Sequence, residues 1–367
     1  MPFDASIYTR AEPVRTGSRD GAGLGLAALL RWWRAPLWAV SILTGAKSFA
    51  DNPILGSERL NRKGLHAWRV STAHRLAAAR RARLARQVPA DLKAAFDRDG
   101  FAVVPDILPP EQFAALKSAI VEASLECRSH QQGDTVTTRV PVGPELLRRI
   151  PALSALLRSP RWKGLMAYVA STRAEPLYYI QAISGGVVEG PPDPQLELHS
   201  DTFQPSLKAW LFMTDVPEDG RPLTYVAGSH RLTPQRIAWE KQRSIDIARA
   251  DRLSQRGSLR VSPGELAALG LPEPTHFAVP ANTLVVADTY CFHARAASDR
   301  RTLRIELWAY CRRSPFLPWT GFDPLSWRPI AIRRAEWLGR ILDVLDRRGW
   351  LIQQWRRSGR WRDAIGR

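Results

Sequence analysis

His199 and Asp201 stand two residues apart in the stretch Leu196-Glu197-Leu198-His199-Ser200-Asp201-Thr202-Phe203. On an extended backbone, alternate side chains leave the same face. One imidazole and one carboxylate can then take neighbouring positions on a single metal ion. A third ligand has to come from elsewhere, and His293 is the best candidate. Two histidines and one carboxylate, with the remaining positions open, suit the non-haem iron(II) oxygenases. His-x-Asp alone is a weak signal in a chain with seven histidines, and a solvated surface pair is the competing reading. The residues downstream give it weight.

The elements around this stretch can be read from pattern. The stretch itself reads as a strand ending at the two side chains. Phe101–Val104 is a short strand after the Asp99-Gly100 turn, and Pro109-Pro110-Glu111 opens a helix running to about Ser124. Residues 144–170 are mostly helical, with a break at Ser159-Pro160. Strands are expected over 176–183, 207–214, 223–226, 282–288 and 304–310 from their apolar or β-branched runs. Residues 231–275 are polar, partly helical, and read as an insertion between strands. Short strands separated by turns, with helices gathered on the N-terminal side, indicate an α+β fold with a mainly β core, a barrel or double-sheet jelly roll.

The chain has 367 residues, 45% of them apolar, and a net charge of +18. Residues 1–90 carry a net +10 and residues 327–367 a net +7, leaving the middle nearly neutral. Nine of the 14 tryptophans lie in the two flanks. Three domains of composition follow: a basic N-terminal helical arm (1–90), a central domain (91–326), and a basic amphipathic C-terminal arm (327–367). The three cysteines form no CxxC pair, which fits a reducing compartment. Residues 24–44 are apolar, but Arg31 and Arg34 sit inside the run, so a spanning helix or a signal peptide is not expected. Arginines beside Trp32, Trp33 and Trp38 suit a helix lying in the headgroup plane of an anionic membrane. A helix docked on the domain is the alternative, and nucleic acid is the weaker reading of the same charge. Residues 72–88 read as a basic helix, and Trp337, Leu338, Ile341, Leu342 and Leu345 form an apolar stripe at helical spacing.

The segment from Asp99 to Tyr310 resembles the phytanoyl-CoA dioxygenase family of iron(II)/2-oxoglutarate oxygenases. Four pieces carry the resemblance: Asp99-Gly100-Phe101-Ala102-Val103-Val104-Pro105; His199-Ser200-Asp201; Gly228-Ser229-His230 after Leu223-Thr224-Tyr225-Val226; and His293 followed eleven residues later by Arg304. The resemblance implies a double-stranded β-helix with the metal at its open mouth. It implies His199, Asp201 and His293 as ligands of Fe(2+), with 2-oxoglutarate and dioxygen as cosubstrates. Arg304 is implied as partner of the far carboxylate of 2-oxoglutarate, a role a guanidinium fork suits. Arg300 and Arg301 are rivals for it, and a strand ion pair with Glu306 is the alternative for Arg304. Gln181 matches a position that contacts the cosubstrate in relatives, and Trp210 is expected to line the pocket. His230 is expected to be structural. Ala294-Arg295 and the 231–275 insertion depart from the family pattern and leave the substrate open.

The expected activity is hydroxylation of an unactivated C–H bond of a small-molecule or lipid-linked substrate, with release of succinate and carbon dioxide. Asp201 favours it, because halogenating relatives replace that carboxylate with a small residue. The expected place is cytoplasmic, at the inner face of a membrane. The competing class is a non-catalytic β-helix protein that binds a membrane or another anionic partner through its basic arms.

Overall fold

A computed structural model describes residues 34–366. The strands are β1 (Phe101–Val104), β2 (Glu126–Gln132), β3 (Thr135–Pro141), β4 (Leu177–Gly185), β5 (Leu207–Phe212), β6 (Leu223–Tyr225), β7 (Thr275–His276), β8 (Leu284–Asp288), β9 (His293–Arg295), β10 (Thr302–Cys311) and β11 (Arg356–Arg360). Eight of them form one antiparallel sheet in the order β1-β8-β5-β10-β4-β3-β2-β11. A small antiparallel sheet, β7-β6-β9, faces it. The result is a double-sheet jelly roll with helices on the back of the large sheet.

Strand parity sets the two faces of the large sheet. Leu207, Ala209 and Leu211 of β5, Ile305, Leu307 and Ala309 of β10, and Leu284 and Val286 of β8 point outward. They pack on Leu165, Met166 and Val169 of helix Pro160–Val169, and on Phe96, Leu116 and Ile120 from the earlier helices. Burying one such Leu or Ile stabilises the fold by about 1.5–3 kcal/mol. The other parity points into the barrel. There the register places Trp210, Trp308 and Tyr179 side by side across β5, β10 and β4. The next row is Phe212, Glu306, Gln181 and Arg139.

The Asp99-Gly100 turn needs its glycine. Gly100 has φ +85°, and a Cβ there would lie 2.7 Å from His230 Nδ1 and 2.8 Å from Cys291 Sγ. His230 packs on Phe96 and approaches the Asp97 carbonyl, outside the barrel mouth.

A few flanking arginines turn inward, while most of those among the described residues are exposed. In helix Leu65–Leu84, buried Arg69 donates to the carbonyls of Ile42, Thr44 and Ala46. Buried Arg80 donates to the carbonyls of Ser171, Pro315 and Leu317. At the other end of the chain, β11 pairs with β2, and Trp361 is buried with its Nε1 donating to the Ile120 carbonyl. Residues 24–33 of the expected headgroup helix lie outside the described residues. The remainder includes helix Ala35–Ser41, which exposes Leu37 and Val40. No helix among the described residues is long and apolar enough to cross a membrane.

Two expectations change. Residues 196–203 do not form a regular strand; only His199 pairs, through isolated bridges to His293 and Arg260. Strands β2, β3 and β11 were not expected, because their sequences lack an apolar alternation. The 231–275 segment carries helix Pro234–Ile245, whose Glu240 meets His66 at 2.8 Å in a buried contact. Its end runs beside the His199 stretch, with Ser200 N donating to the Leu259 carbonyl and Val261 N to that of Leu198.

Candidate active site

His199 and His293 are joined by a reciprocal backbone pair: His199 N to His293 O at 3.0 Å, and His293 N to His199 O at 2.9 Å. Residues paired in this way present their side chains on the same face. The ring centroids are 4.7 Å apart. Each Nδ1 faces the carbonyl two residues earlier, that of Glu197 at 2.7 Å and that of Cys291 at 3.0 Å. A carbonyl only accepts, so each Nδ1 carries the proton and each Nε2 presents a lone pair. His293 Nε2 is buried and has no hydrogen-bond partner.

Asp201 completes the cluster. Its backbone N–H donates to the Thr289 carbonyl at 2.9 Å. Its Oδ1 lies 3.8 Å from His199 Nε2 and its Oδ2 3.6 Å from His293 Nε2. One donor atom from each of the three residues lies within 4.8 Å of the others, the arrangement one metal ion could bridge. Burial, then the neighbouring imidazole, holds His199 well below the ordinary histidine range, and burial lowers His293 as well. Both imidazoles are therefore neutral. For Asp201, burial favours the neutral acid, but the Lys208 cation outweighs it and holds the carboxyl well below the ordinary carboxylate range. Lys208 Nζ sits 2.5 Å from Asp201 Oδ2, and Lys47 Nζ donates to the Asp201 carbonyl at 2.8 Å. Two neutral nitrogen donors and one anionic oxygen fit a divalent transition metal.

The cluster lines a cavity of about 430 Å³ that also contains Arg304, Gln181 and Trp210. All six site residues expected from the sequence therefore meet in one cavity. Arg304 is buried. Its Nε donates to Glu306 Oε2 at 2.8 Å and its Nη1 to the Arg221 carbonyl at 2.8 Å, leaving Nη2 without an acceptor among the described residues. The ion pair with Glu306 that stood as the alternative for Arg304 is thus present, and it leaves a guanidinium edge for an anion. Gln181 Nε2 donates to Glu306 Oε1, and its Oε1 accepts from Arg139 Nε at 2.7 Å. The rival Arg300 pairs with exposed Asp219 instead, and neither it nor Arg301 lines the cavity.

The phytanoyl-CoA dioxygenase family model matches residues 96–268. This segment, a little under half of the chain, is similar to phytanoyl-CoA dioxygenase domains. The match covers His199 and Asp201 but ends before His293 and Arg304, which the fold alone brings to the site. No curated protein matches the sequence. Among solved structures, the non-haem alpha-ketoglutarate-dependent epimerase SnoN from nogalamycin biosynthesis is 21% identical, covering 66% of this chain and 93% of that one with a TM-score of 0.38. HygX from Streptomyces hygroscopicus, with nickel and 2-oxoglutarate bound, is 16% identical, covering 60% and 85% with a TM-score of 0.39. AviO1 from Streptomyces viridochromogenes Tue57 is 17% identical, covering 61% and 94% with a TM-score of 0.37.

Sequence reasoning missed Lys208, Lys47 and Arg139, all of which line the same cavity, as does Trp355 from the C-terminal arm. Lys208 shares strand parity with Trp210, so the alternation of β5 could have found it. Nothing local signals Trp355, which arrives through the distant pairing of β11 with β2.

Proposed function

We propose that this chain is an iron(II)- and 2-oxoglutarate-dependent oxygenase that hydroxylates a C–H bond of a small molecule. The observation that carries the reading is the His199–Asp201–His293 cluster, with two lone-pair Nε2 atoms and an ionised carboxylate converging at the base of a cavity. In this reading those three residues hold Fe(2+) and leave its other positions open toward the cavity. The iron, when bound, supplies the activation of dioxygen that organic side chains cannot provide. Arg304 binds the far carboxylate of 2-oxoglutarate through Nη2, while Glu306 and the Arg221 carbonyl fix the guanidinium plane. Gln181, held by Arg139 and Glu306, borders the same place. The balanced outcome is one oxygen atom into the substrate C–H bond and one into succinate, with carbon dioxide leaving 2-oxoglutarate. Asp201 favours hydroxylation over halogenation, because its carboxylate fills the position a halide would need.

The test is succinate formation by the anaerobically loaded enzyme after oxygen is admitted. Wild-type protein should form succinate; Asp201→Ala and His199→Ala should not. Equal succinate formation by wild type and both variants would overturn the reading, and none from wild type would favour a non-catalytic binding protein.

A contact with an anionic membrane is part of the proposal at the N-terminal side. Leu37, Val40 and Leu43 are exposed, Phe322 is 87% exposed, and Trp327 is exposed too. Ser314 Oγ reaches the Leu43 carbonyl at 3.5 Å, which brings the loop leading to Phe322 beside them. Sedimentation with anionic vesicles should deplete the protein from solution, less so at high salt. No depletion at any salt concentration would remove the membrane from the proposal.

A further inference from the structure

A second cavity, about 600 Å³, lies between strands β2 and β3 and the helices Pro144–Arg149 and Arg334–Arg347. Seven arginines and three glutamates line it, with no lysine or aspartate, leaving a net of four positive charges. Some of these arginines are structural. Arg128 makes a two-pronged contact with Asp343, and Arg357 lies 3.6 Å from the same carboxylate. Arg148, Arg340 and Arg360 are different. They come from three separate elements, and among the described residues none has a carboxylate within ion-pair distance. Like charges brought to one hollow repel unless an anion joins them. The planar guanidinium fork matches the paired oxygens of a phosphate or a carboxylate.

This cavity is not isolated from the metal-side one. Both are lined by Arg139, Tyr179 and Trp355. The Arg139 guanidinium lies between two rings, 4.2 Å from the centroid of Trp308 and 4.2 Å from that of Trp355. A common wall of one cation and a few aromatic rings thus separates an arginine-lined chamber from the His199–Asp201–His293 cluster. The hollow is half-open, with Arg148, Arg340 and Arg360 exposed at it, and its volume suits one small charged group.

We propose that this chamber binds a multiply charged oxyanion group and anchors the charged end of the substrate, whose remainder runs along Tyr179 and Trp355 toward the metal-side cavity. The anchoring role rests on the oxygenase reading; oxyanion binding itself does not. Phosphate and clustered carboxylates share the required chemistry, and the experiment separates them. Metal-free full-length protein is titrated calorimetrically with inorganic pyrophosphate and, separately, with citrate. At least one should bind at a single site, more weakly at high salt, and the tighter of the two names the group. The triple variant Arg148→Ala/Arg340→Ala/Arg360→Ala should bind it at least about tenfold more weakly. Its affinity for 2-oxoglutarate in the presence of cobalt(II) should be unchanged, which shows that the fold and the metal side are intact. Absence of binding to wild type, or equal binding by the variant, overturns the site. For the anchoring role, cell extracts incubated with the loaded enzyme should gain one oxygen on compounds bearing that group. The variant should lose this product while still oxidising 2-oxoglutarate. A product without such a group, formed equally by the variant, overturns the anchoring role. If the oxygenase reading fails instead, oxyanion binding persists and no succinate forms.

Discussion

Neighbouring positions along β10 live in opposite surroundings. Ile305, Leu307 and Ala309 lie in an apolar layer against helices, where only shape and burial matter. Arg304, Glu306, Trp308 and Tyr310 face the cavity, where charges survive because each has a partner. The contrast separates two kinds of contribution on one strand. The outward face stabilises the fold and has no unmet valence. The inward face also packs, through Trp308, but keeps an atom in reserve in Arg304 Nη2, as His293 Nε2 does across the cavity.

The sharpest test of that separation is Asp201→Ala. Cobalt(II) binding should weaken by at least about a hundredfold, a loss of about 2.7 kcal/mol, while the urea midpoint of the metal-free protein stays close to wild type. On the outward face the opposite result is expected. Leu307→Ala should cost about 2–5 kcal/mol of stability in urea unfolding, with cobalt(II) affinity unchanged where the protein is folded. Arg304→Met crosses the divide. It should weaken 2-oxoglutarate binding at least about tenfold and also lower stability by about 3 kcal/mol, because Glu306 is left buried without its cation. Adding Glu306→Gln should restore the stability and not the binding; if both return together, the two faces are not separable at this point.

A separate test concerns pH. Burial lowers His74 to about 3 and His230 to about 4. Unfolded imidazoles take up a proton near pH 6.5, whereas these folded ones stay neutral down to about 4 or below. The unfolded state therefore binds more protons in this window. Stability should fall as pH drops from 6.5 toward 4, with a slope approaching about 2.7 kcal/mol per unit for the two groups together. Urea midpoints across that range check the slope, and His74→Phe should flatten it.

The site was largely legible because its signals are local or strand-periodic. His199 and Asp201 are two residues apart, and Arg304 lies on a strand whose alternation is plain. What stayed hidden depends on distant pairing. Glu126–Gln132 reads Glu-Cys-Arg-Ser-His-Gln-Gln, with no apolar face, because one side of β2 borders the polar chambers. Arg356–Arg360 is wholly polar because β11 is an edge strand. The strand pattern of 196–203 yielded to a tertiary requirement, the bridges of His199 to β9 and to Arg260. Charge counts in the flanks have no direction: most of those arginines are exposed, but not all. Arg69 and Arg80 hold loop carbonyls inside the molecule and add nothing to its surface.

The reciprocal hydrogen bonds between His199 and His293 give the barrel rim a second meaning. The spacing of two imidazoles is there a backbone property, set where the small sheet closes over the large one. Fraying of that rim would spread the donor atoms while the layer behind the sheet stayed shut. Retention of a bound ion would then gauge partial opening, and its escape should quicken in mild denaturant well before the molecule as a whole lets go.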